Sequence, residues 1–344
     1  GDGLHLRVDL PSKDAQLFAP GCSVMVRIAD EPMYAQHEES SVLLNSASTD
    51  KNRHNELRNP QDSAKGLFMQ QKLLLIRCPD GVRLDIVRKE NHAPNINRIL
   101  NNGSSAEMTM EVPTISGPGW SSILTGTTHA QHGVQDNTFR GNRLYECPDF
   151  LTVRLLLHPM MKNGCRFKLA SLVDPAGPGP VIATRNDQII SCHHRLVVRD
   201  GETYGYRLAD SEIARFAVIS ISNDPADASF IYLGEVDEAG HLYGGISEEY
   251  ESALSRVDEH VGEILDAVER RSFNHPDEDW LVCITTDHGH LDEGGHGGAD
   301  PVLRRSFFGA LRLGVRSSDQ YSFESMRPEQ IAGWMLRHLD TPIQ

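Results

Sequence analysis

The stretch that decides the fold reads Trp280-Leu281-Val282-Cys283-Ile284-Thr285-Thr286-Asp287-His288-Gly289-His290. Its first five residues are almost all strong β-formers, as is typical of a parallel strand that is buried on both faces. Asp287 and His288 are therefore predicted to lie at the carboxyl end of this strand, where open α/β sheets bind ligands. His296 follows in a glycine-rich segment. Carboxylate and imidazole groups in this setting predict a metal site.

Two further apolar segments end in acidic residues in the same way. Residues 72–76 run into Asp80, and residues 229–234 lead to Asp237 and His241. Because the carboxyl ends of parallel strands lie at one edge of a sheet, we expect these groups to meet the Asp287 segment there.

Helical patterns separate the predicted strands. Ser247 is a predicted N-cap, and the apolar residues after it share one helical stripe, which predicts core packing: Tyr250, Leu254, Val257, Val261, Ile264, Leu265 and Val268. Another helix is predicted to begin at Pro328. Strands that alternate with helices predict an α/β fold, with a doubly wound sheet covered by helices on both faces.

The chain is predicted to have two parts. Residues 1–70 form an N-terminal extension of unknown role, with candidate strands at 4–10 and 23–28 and a polar linker at about 37–65. Residues 71–344 form the regular α/β domain. Within it, residues 138–228 are expected to hold sheet elements and any cap.

The composition argues against some classes of partner. The 344 residues carry a formal net charge of −15, whereas a nucleic-acid duplex is bound by Lys and Arg that neutralise phosphates. No apolar run approaches the roughly 20 residues of a membrane span, and no signal-like leader opens the chain. We expect a soluble protein, either cytoplasmic or, if a signal peptide has been removed, secreted or periplasmic. The oligomeric state stays open.

Six strand-end groups carry the metal chemistry, three carboxylates and three imidazoles: Asp80, Asp237, His241, Asp287, His288 and His296. Six such ligands suit two divalent ions. Mixed nitrogen and oxygen ligands favour zinc over magnesium or calcium, and leave manganese or another divalent ion as an alternative. Each group alone has an ordinary structural explanation, as a turn former, helix cap or hydrogen-bonded histidine.

Ser116 is the candidate nucleophile. It precedes Gly117-Pro118-Gly119, which favours a sharp turn, and an apolar helical stretch follows. Backbone N–H groups at such a loop-to-helix junction favour a phosphate or sulfate oxygen. The alternative role is a simple serine N-cap. A neighbouring metal ion favours the nucleophile, since it can deprotonate a hydroxyl that is inert in water.

The ordered motifs resemble those of the alkaline phosphatase superfamily, and within it most closely the type I phosphodiesterase/nucleotide pyrophosphatase branch. Six separated motifs carry the resemblance over residues 70–340: Asp80-Gly81-Val82-Arg83, Ser116-Gly117-Pro118, His132-Gly133-Val134-Gln135-Asp136-Asn137, Asp237-Glu238-Ala239-Gly240-His241, Asp287-His288-Gly289 and His296-Gly297-Gly298. The resemblance implies a three-layer α/β/α sandwich around a mostly parallel sheet, with a small cap.

The resemblance also implies roles for single residues. It implies two metal sites of three ligands each: Asp237, His241 and His296 in one, and Asp80, Asp287 and His288 in the other. Ser116 stands at the nucleophile position, where the branch more often has threonine. Asn137 falls where the family places an amide that donates to a phosphoryl oxygen. The implied activity is hydrolysis of a small phosphate ester, foremost a phosphodiester or nucleotide pyrophosphate, through a phosphoserine.

Several neighbouring activities share this chemistry. A phosphomonoesterase or phosphonate hydrolase would use the same metals and nucleophile, and a phosphotransferase or mutase would pass the phosphoserine phosphate to another alcohol. A sulfatase is disfavoured because its motif needs an arginine where this chain has Trp120. A non-enzymatic metal-binding module is disfavoured because none of the six ligand positions is altered.

Other polar residues near the motifs are predicted to support the site without touching metal. His129, His132 and His290 are expected to form hydrogen bonds near the ligands or the nucleophile. Arg83 and Asp85 are expected to pair with each other at the start of a helix.

Overall fold

The computed structural model describes residues 5–9, 23–27, 70–77, 80–89, 91–151, 169–172, 194–196, 201, 205–314 and 316–340. The chain divides into two compact units, residues 1–67 and 68–344. The first unit contains strands β1 (His5–Asp9) and β2 (Ser23–Arg27). They pair antiparallel, with His5 opposite Arg27. The predicted linker at 37–65 lies outside the described residues.

The second unit contains a seven-stranded sheet within the described part of the chain. Its strands are β3 (Gln70–Arg77), β4 (Ser104–Thr109), β5 (Leu169–Leu172), β6 (His194–Leu196), β7 (Ala228–Tyr232), β8 (Glu278–Thr285) and β9 (Arg305–Gly314). They lie in the order β4-β9-β8-β3-β7-β5-β6. β3 runs parallel to both β7 and β8, whereas β9 runs antiparallel to both of its neighbours. The sheet is thus mixed and mostly parallel, as the sequence predicted.

Helices connect and cover the strands. They are α1 (Leu84–Val87), α2 (Pro94–Asn102), α3 (Ser116–Thr125), α4 (His129–His132), α5 (Tyr206–Asn223), α6 (Glu235–Tyr243), α7 (Glu248–Asn274), α8 (Pro301–Arg304) and α9 (Pro328–Asp340). A 3-10 turn spans Leu144–Glu146. Within the described residues, no helix combines the length and apolar character that crossing a membrane requires.

The two faces of the sheet bury two separate cores, because side chains alternate along a strand. On β3, Leu74 and Ile76 belong to a core shared with α2, α5 and α7, whereas Leu73 and Leu75 belong to a core shared with α3 and α9. All four leucine and isoleucine side chains are buried. Helices therefore lie on both sides of the sheet, which confirms the predicted three-layer α/β/α sandwich.

The predicted amphipathic helix after Ser247 is α7. The Ser247 hydroxyl accepts a hydrogen bond from the Tyr250 N–H and caps the helix, as predicted. The apolar stripe is buried against the sheet and α5. Tyr250 does more than pack. Its hydroxyl donates to the Gly81 carbonyl at 2.7 Å and accepts from the Arg83 N–H at 2.9 Å, which fastens the turn after β3.

The region from 138 to 228 is described in part. β5 and β6 join the main sheet, and α5 packs against α7. Phe139, Phe150 and Tyr206 are buried, in keeping with core roles, whereas Phe216 is exposed. The other residues from which a cap could be built lie mostly outside the described part of the chain.

Candidate metal centre

The three strands that carry the predicted ligands lie side by side and end together. Arg77, the last residue of β3, is in register with Tyr232, the last residue of β7, and with Thr285, the last residue of β8. The segments after these strands therefore leave the sheet at one edge. Asp80 follows β3, Asp287 follows β8, and α6 follows β7 with Asp237 and His241 one turn apart.

Asp80, Asp287 and His288 form one group, here called the Asp80 cluster. The His288 Nε2 atom lies 3.5 Å from Asp80 Oδ1 and 3.5 Å from Asp287 Oδ2. The three side chains are at most 1% exposed. One imidazole nitrogen and two carboxylates thus converge in a space that is closed to water.

Asp237, His241 and His296 form a second group, here called the Asp237 cluster. His241 Nε2 lies 3.5 Å from Asp237 Oδ2, and His296 Nε2 lies 3.7 Å from Asp237 Oδ1. The two imidazole Nε2 atoms are 3.0 Å apart. This cluster is more open, because the exposed fraction of the His241 side chain is 49% and that of Asp237 is 19%.

The two clusters contact each other through one histidine ring from each. The imidazole rings of His288 and His296 are stacked, with centroids 3.8 Å apart and ring planes 20° from parallel. The structure thus brings all six predicted ligands together in two adjoining groups.

Hydrogen bonds fix which nitrogen each of these two histidines presents. His288 Nδ1 lies 3.1 Å from the Gly289 carbonyl oxygen, and His296 Nδ1 lies 2.9 Å from the Thr114 carbonyl oxygen. Because a carbonyl oxygen only accepts, we assign the ring proton to Nδ1 in both. The Nε2 lone pairs then face carboxylate oxygens. Electron-rich groups that face each other repel unless a cation lies between them, so the donor set fits metal ions.

The spacing of the donor atoms also fits metal ions. Ligands about 2.0–2.1 Å from a tetrahedral ion lie roughly 3.3 Å from one another. In the Asp237 cluster the two imidazole nitrogens are 3.0 Å apart, His241 Nε2 is 3.5 Å from Asp237 Oδ2, and His296 Nε2 is 3.7 Å from the other carboxylate oxygen, Oδ1. Mixed imidazole and carboxylate donors suit zinc or a similar divalent ion.

The protonation states favour metal binding at neutral pH. Burial, with a contribution from the neighbouring His296, lowers the pKa of His288 to about 3. Burial also lowers the pKa of His296. Although burial alone raises the pKa of Asp237, hydrogen bonds with His241 and His290 hold that pKa well below its usual range. Neutral imidazoles and an ionised carboxylate are the forms that bind metals.

Ser116 borders the Asp80 cluster. It is the first residue of α3, and Ile115 is the capping residue, so Ser116 is not a simple N-cap. Its Oγ atom lies 3.2 Å from His288 Nε2. Gly119 allows this approach, since a Cβ there would come within 2.9 Å of the Asp287 Cβ atom. The first turn of α3 thus packs directly against a predicted ligand.

Asn137 is held beside the same helix. Its Oδ1 atom accepts a hydrogen bond from the Gly117 N–H at 2.7 Å. Because the oxygen meets a donor, the orientation of the amide is fixed and its NH₂ group points elsewhere. A Cβ on Gly117 would come within 2.8 Å of this oxygen, so only glycine fits there without a shift.

Two residues that the sequence reasoning missed support the clusters. Thr114 accepts from His296 through its carbonyl, and its hydroxyl donates to Gly298 O at 2.8 Å and accepts from Gly297 N–H at 3.1 Å. Asp210, on α5, accepts from the Gly234 and Glu235 N–H groups at the start of α6. A carboxylate in this position stabilises a helix N-terminus and fixes the helix that carries Asp237.

Among the neighbouring polar residues, His132 and Arg83 behave as predicted, whereas neither ring nitrogen of His129 has a hydrogen-bond partner among the described residues. His132 Nε2 lies 3.1 Å from Ser122 Oγ, and burial lowers its pKa to about 3. Arg83 forms an ion pair with Asp85, as expected, and a second one with Asp292 in the loop before His296. Hydrogen bonds to these two carboxylates outweigh burial and raise the pKa of Arg83.

A family comparison covers most of this architecture. The model of the family "type I phosphodiesterase/nucleotide pyrophosphatase" matches residues 73–156 and 160–304. These ranges include all six residues of the two clusters, as well as Ser116 and Asn137. They amount to more than half of the chain.

Comparison with solved structures shows the same fold. Murine ectonucleotide pyrophosphatase/phosphodiesterase 5 is similar with a TM-score of 0.56 and 15% identity, over 80% of this chain and 96% of the murine chain. A 2-O GAG sulfatase is similar with a TM-score of 0.56 and 13% identity, over 80% of this chain and 72% of the sulfatase.

A curated relative matches a shorter segment. GPI ethanolamine phosphate transferase 1 of Mus musculus is 27% identical over 123 residues, which make up 34% of this chain and 13% of the transferase. The matched segment is thus a small part of that relative.

Proposed function

Because the chain belongs to the type I phosphodiesterase/nucleotide pyrophosphatase family, we propose that it hydrolyses phosphate esters with two divalent metal ions, zinc foremost, and with Ser116 as the nucleophile. Phosphodiesters, including nucleotide pyrophosphates, are the proposed substrate class. The observation that carries this proposal is the position of Ser116 Oγ, 3.2 Å from the His288 nitrogen that faces two carboxylates.

The two clusters are the proposed metal ligands. Asp80, Asp287 and His288 would hold one ion, and Asp237, His241 and His296 would hold the other. When bound, such ions act as Lewis acids that offset negative charge on substrate oxygens and lower the pKa of a hydroxyl or water.

The chain's own groups then carry out two displacements. In the first, Ser116 Oγ bonds to phosphorus as the bond to the leaving alcohol breaks. The net proton transfer in this step is from the serine hydroxyl to the leaving alcohol. The intermediate is a phosphoserine that still carries the second ester group. In the second displacement, water attacks its phosphorus, the bond from phosphorus to Ser116 Oγ breaks, and the serine oxygen takes up the proton that the water loses, which releases a phosphomonoester.

Asn137 and the start of α3 are the proposed contacts for the phosphoryl group. The Gly117 N–H occupies the Asn137 oxygen, so the amide NH₂ group is the part left to donate to a phosphoryl oxygen. The N-terminus of α3 adds a favourable dipole. Preorganised donors of this kind stabilise charge that develops in the transition state.

The first experiment compares rates on an activated phosphodiester and on the matching phosphomonoester, together with metal analysis. We expect two zinc ions per chain, a preference for the diester, and a rate loss of at least about 10³-fold in Ser116→Ala. Ser121→Ala is the matched control, because Ser121 is buried in the same helix and donates only to the Gly117 carbonyl there. A faster monoester would identify a phosphatase, and full activity of Ser116→Ala would contradict the nucleophile assignment.

The choice of substrate follows from a relative. A solved structure of an inactive form of murine ectonucleotide pyrophosphatase/phosphodiesterase 5 holds AMP. Esters of nucleoside monophosphates are therefore the first natural-type substrates to test. Monoesters and phosphonates complete the panel, because the same metals and nucleophile could act on them.

A phosphotransferase is the second candidate, favoured by the match to the murine ethanolamine phosphate transferase. It would form the same phosphoserine and pass the phosphoryl group to an alcohol. Reaction in ¹⁸O-labelled water separates the two. Label in the released phosphomonoester supports the hydrolase, and a product without label supports the transferase.

A further inference from the structure

His290 neighbours both clusters, with its ring centroid 6.0 Å from that of His288 and 5.2 Å from that of His296, but it is not one of the six predicted ligands. Its side chain is buried, and its Nε2 atom lies 2.7 Å from Asp237 Oδ1. A carboxylate that holds a metal only accepts hydrogen bonds, so the imidazole proton of His290 must be on Nε2. His290 thus donates to one oxygen of Asp237, while the other oxygen faces His241 Nε2 at 3.5 Å.

The distance argues for a hydrogen bond rather than a shared metal. Two ligands of one tetrahedral ion lie roughly 3.3 Å apart, and the other pairs of the Asp237 cluster are close to that spacing. The His290 contact, at 2.7 Å, is the length of a hydrogen bond to a charged group. His290 Nε2 therefore meets Asp237 at hydrogen-bonding distance, while a nitrogen of the same ring lies within 4.8 Å of donor atoms of His288 and His296.

Three glycines shape the space that the His290 side chain fills. A Cβ on Gly81 or on Gly240 would come within 2.6 Å of the ring, and a Cβ on Gly245 would come within 2.9 Å of the His290 Cβ atom. Gly81 follows the ligand Asp80, and Gly240 precedes the ligand His241. The imidazole is thus the surface against which the ligand-bearing segments of both clusters pack.

Packing alone does not account for a histidine at this position. The His290 Nδ1 atom is buried and has no hydrogen-bond partner among the described residues. A buried ring nitrogen without a partner is unfavourable, and leucine would fill a similar volume without that cost. The distinctive contribution of the imidazole is the bond from Nε2 to Asp237.

We propose that His290 is a positioning residue that holds the Asp237 carboxylate in the orientation required for the metal ion of the Asp237 cluster. The inference rests on the proposed function, because it assumes that this cluster binds an ion. Hydrogen bonds to ligand side chains of this kind change metal affinity by about 10- to 100-fold. The ion of the Asp80 cluster does not depend on Asp237, so its affinity is expected to stay the same.

The test is zinc binding by chelator competition in three variants. His290→Leu removes the donor, and His290→Gln keeps an N–H donor at a similar distance. His260→Leu applies the same change to a histidine on α7 that lies about 15 Å along the helix from Tyr250, the residue beside His290. We expect one of two dissociation constants to rise about 10- to 100-fold in His290→Leu, and to return to within about threefold of wild type in His290→Gln. His260→Leu should match wild type.

Three outcomes would overturn the inference. Unchanged constants in His290→Leu would mean that the bond does not position Asp237. An equal loss of zinc affinity at both sites in His290→Leu would indicate a general packing role for His290. The same conclusion would follow if His290→Gln bound zinc as weakly as His290→Leu. A wild-type protein that binds fewer than two ions would overturn the proposed function itself, and this inference with it.

A measurement on the wild-type protein covers the case in which His290→Leu does not fold. In ¹⁵N-labelled protein loaded with ¹¹³Cd, ligand nitrogens couple to the metal. We expect coupling at Nε2 of His241 and His296, and a protonated, uncoupled Nε2 in His290. Cadmium coupling at His290 would make it a ligand and contradict the positioning role.

Discussion

The two ligand clusters use the same kinds of side chain but differ in their access to water. The Asp80 cluster is closed, with side chains at most 1% exposed, whereas the His241 side chain of the Asp237 cluster is 49% exposed. The closed cluster is the one next to Ser116. This difference suggests a division of work, in which the closed cluster activates the nucleophile and the open one meets solvent and the leaving group.

The largest expected effect comes from the closed cluster. Asp80→Asn removes a buried negative charge that faces His288 Nε2, and we expect the diesterase rate to fall by about 10³-fold or more. Excess zinc should not restore it, because the nucleophile-activating site itself has changed. Steady-state rates at increasing zinc concentrations provide the measurement. Recovery with zinc would show that the two clusters do not differ in this way.

The open cluster should tolerate loss of a ligand better. His241→Ala is expected to lower the rate at limiting zinc by about 10- to 100-fold. The remaining ligands should still bind the ion, although more weakly than in the wild type. A higher zinc concentration should therefore refill the site by mass action and recover much of the activity. Rates measured over the same zinc series as for Asp80→Asn test this. If zinc did not restore the rate of His241→Ala, the open cluster would require its full set of ligands as strictly as the closed cluster does.

Metal removal should also separate the clusters in stability. An ion that binds only the folded chain adds about 4 kcal/mol to the free energy of unfolding when its concentration is 1,000 times its dissociation constant. We expect chelation to lower the denaturation midpoint in two steps, the open cluster first. Urea unfolding at graded chelator concentrations measures this. A single step would show that the two ions leave together.

The packing of α3 against the closed cluster gives a smaller effect. Gly119→Ala would place a Cβ 2.9 Å from the Asp287 Cβ atom, and overpacking of this kind costs about 1–3 kcal/mol. We expect a comparable loss of stability and a reduced rate, since Ser116 and Asp287 are forced apart. Gly333→Ala is the control, because a Cβ at Gly333 meets no atom within 4 Å. Equal behaviour of the two variants would contradict the close approach.

The smallest expected effect concerns His338, a buried histidine at the other end of the strands from the two clusters. It tests how burial of a histidine outside the clusters affects the stability of the protein. His338 Nε2 lies 3.2 Å from the carbonyl oxygens of Lys72 and Asp279, near the starts of β3 and β8. Burial lowers its pKa from 6.5 to about 4. Between these values the unfolded chain binds a proton that the folded chain does not, so stability is full above pH 6.5 and falls as the pH drops toward 4.

The metal-free protein should therefore show an acid-sensitive component that His338→Gln removes. Between pH 6.5 and 4, this one group should raise the unfolding constant by up to about tenfold for each unit that the pH is lowered. A plot of the logarithm of the unfolding constant against pH should therefore be less steep in His338→Gln, by about one bound proton. Urea unfolding at several pH values between 4 and 7.5 measures it, with His92→Gln as control. An unchanged slope in His338→Gln would contradict the effect of burial.

The convergence of the six proposed ligands was predictable because each has a local signal. Asp80, Asp237 and Asp287 follow apolar runs that read as buried strands, and parallel strands in register bring such ends together. The supporting residues have no such signal. Thr114 meets His296 across 182 residues, and Tyr250 meets the Gly81 carbonyl across 169 residues. Tyr250 also belongs to an apolar helical stripe. The periodicity of that stripe indicates packing and gives no sign of the hydrogen bonds that the Tyr250 hydroxyl forms.

His290 illustrates the same limit at the site itself. In the sequence His290 stands two residues after the proposed ligand His288, and a hydrogen bond was predicted for it, but the partner could not be identified. Asp237 is 53 residues away, and the contact depends on three glycines that leave room for the ring. Such a contact follows from packing in three dimensions rather than from any periodicity.

The most direct test of the account is a crystal structure of the zinc-loaded protein with anomalous data collected at the zinc absorption edge. We predict two anomalous peaks, one bounded by Asp80, Asp287 and His288 within reach of Ser116, and one bounded by Asp237, His241 and His296. A single peak, or a peak coordinated by His290 in place of His241, would contradict the proposed division of the six ligands.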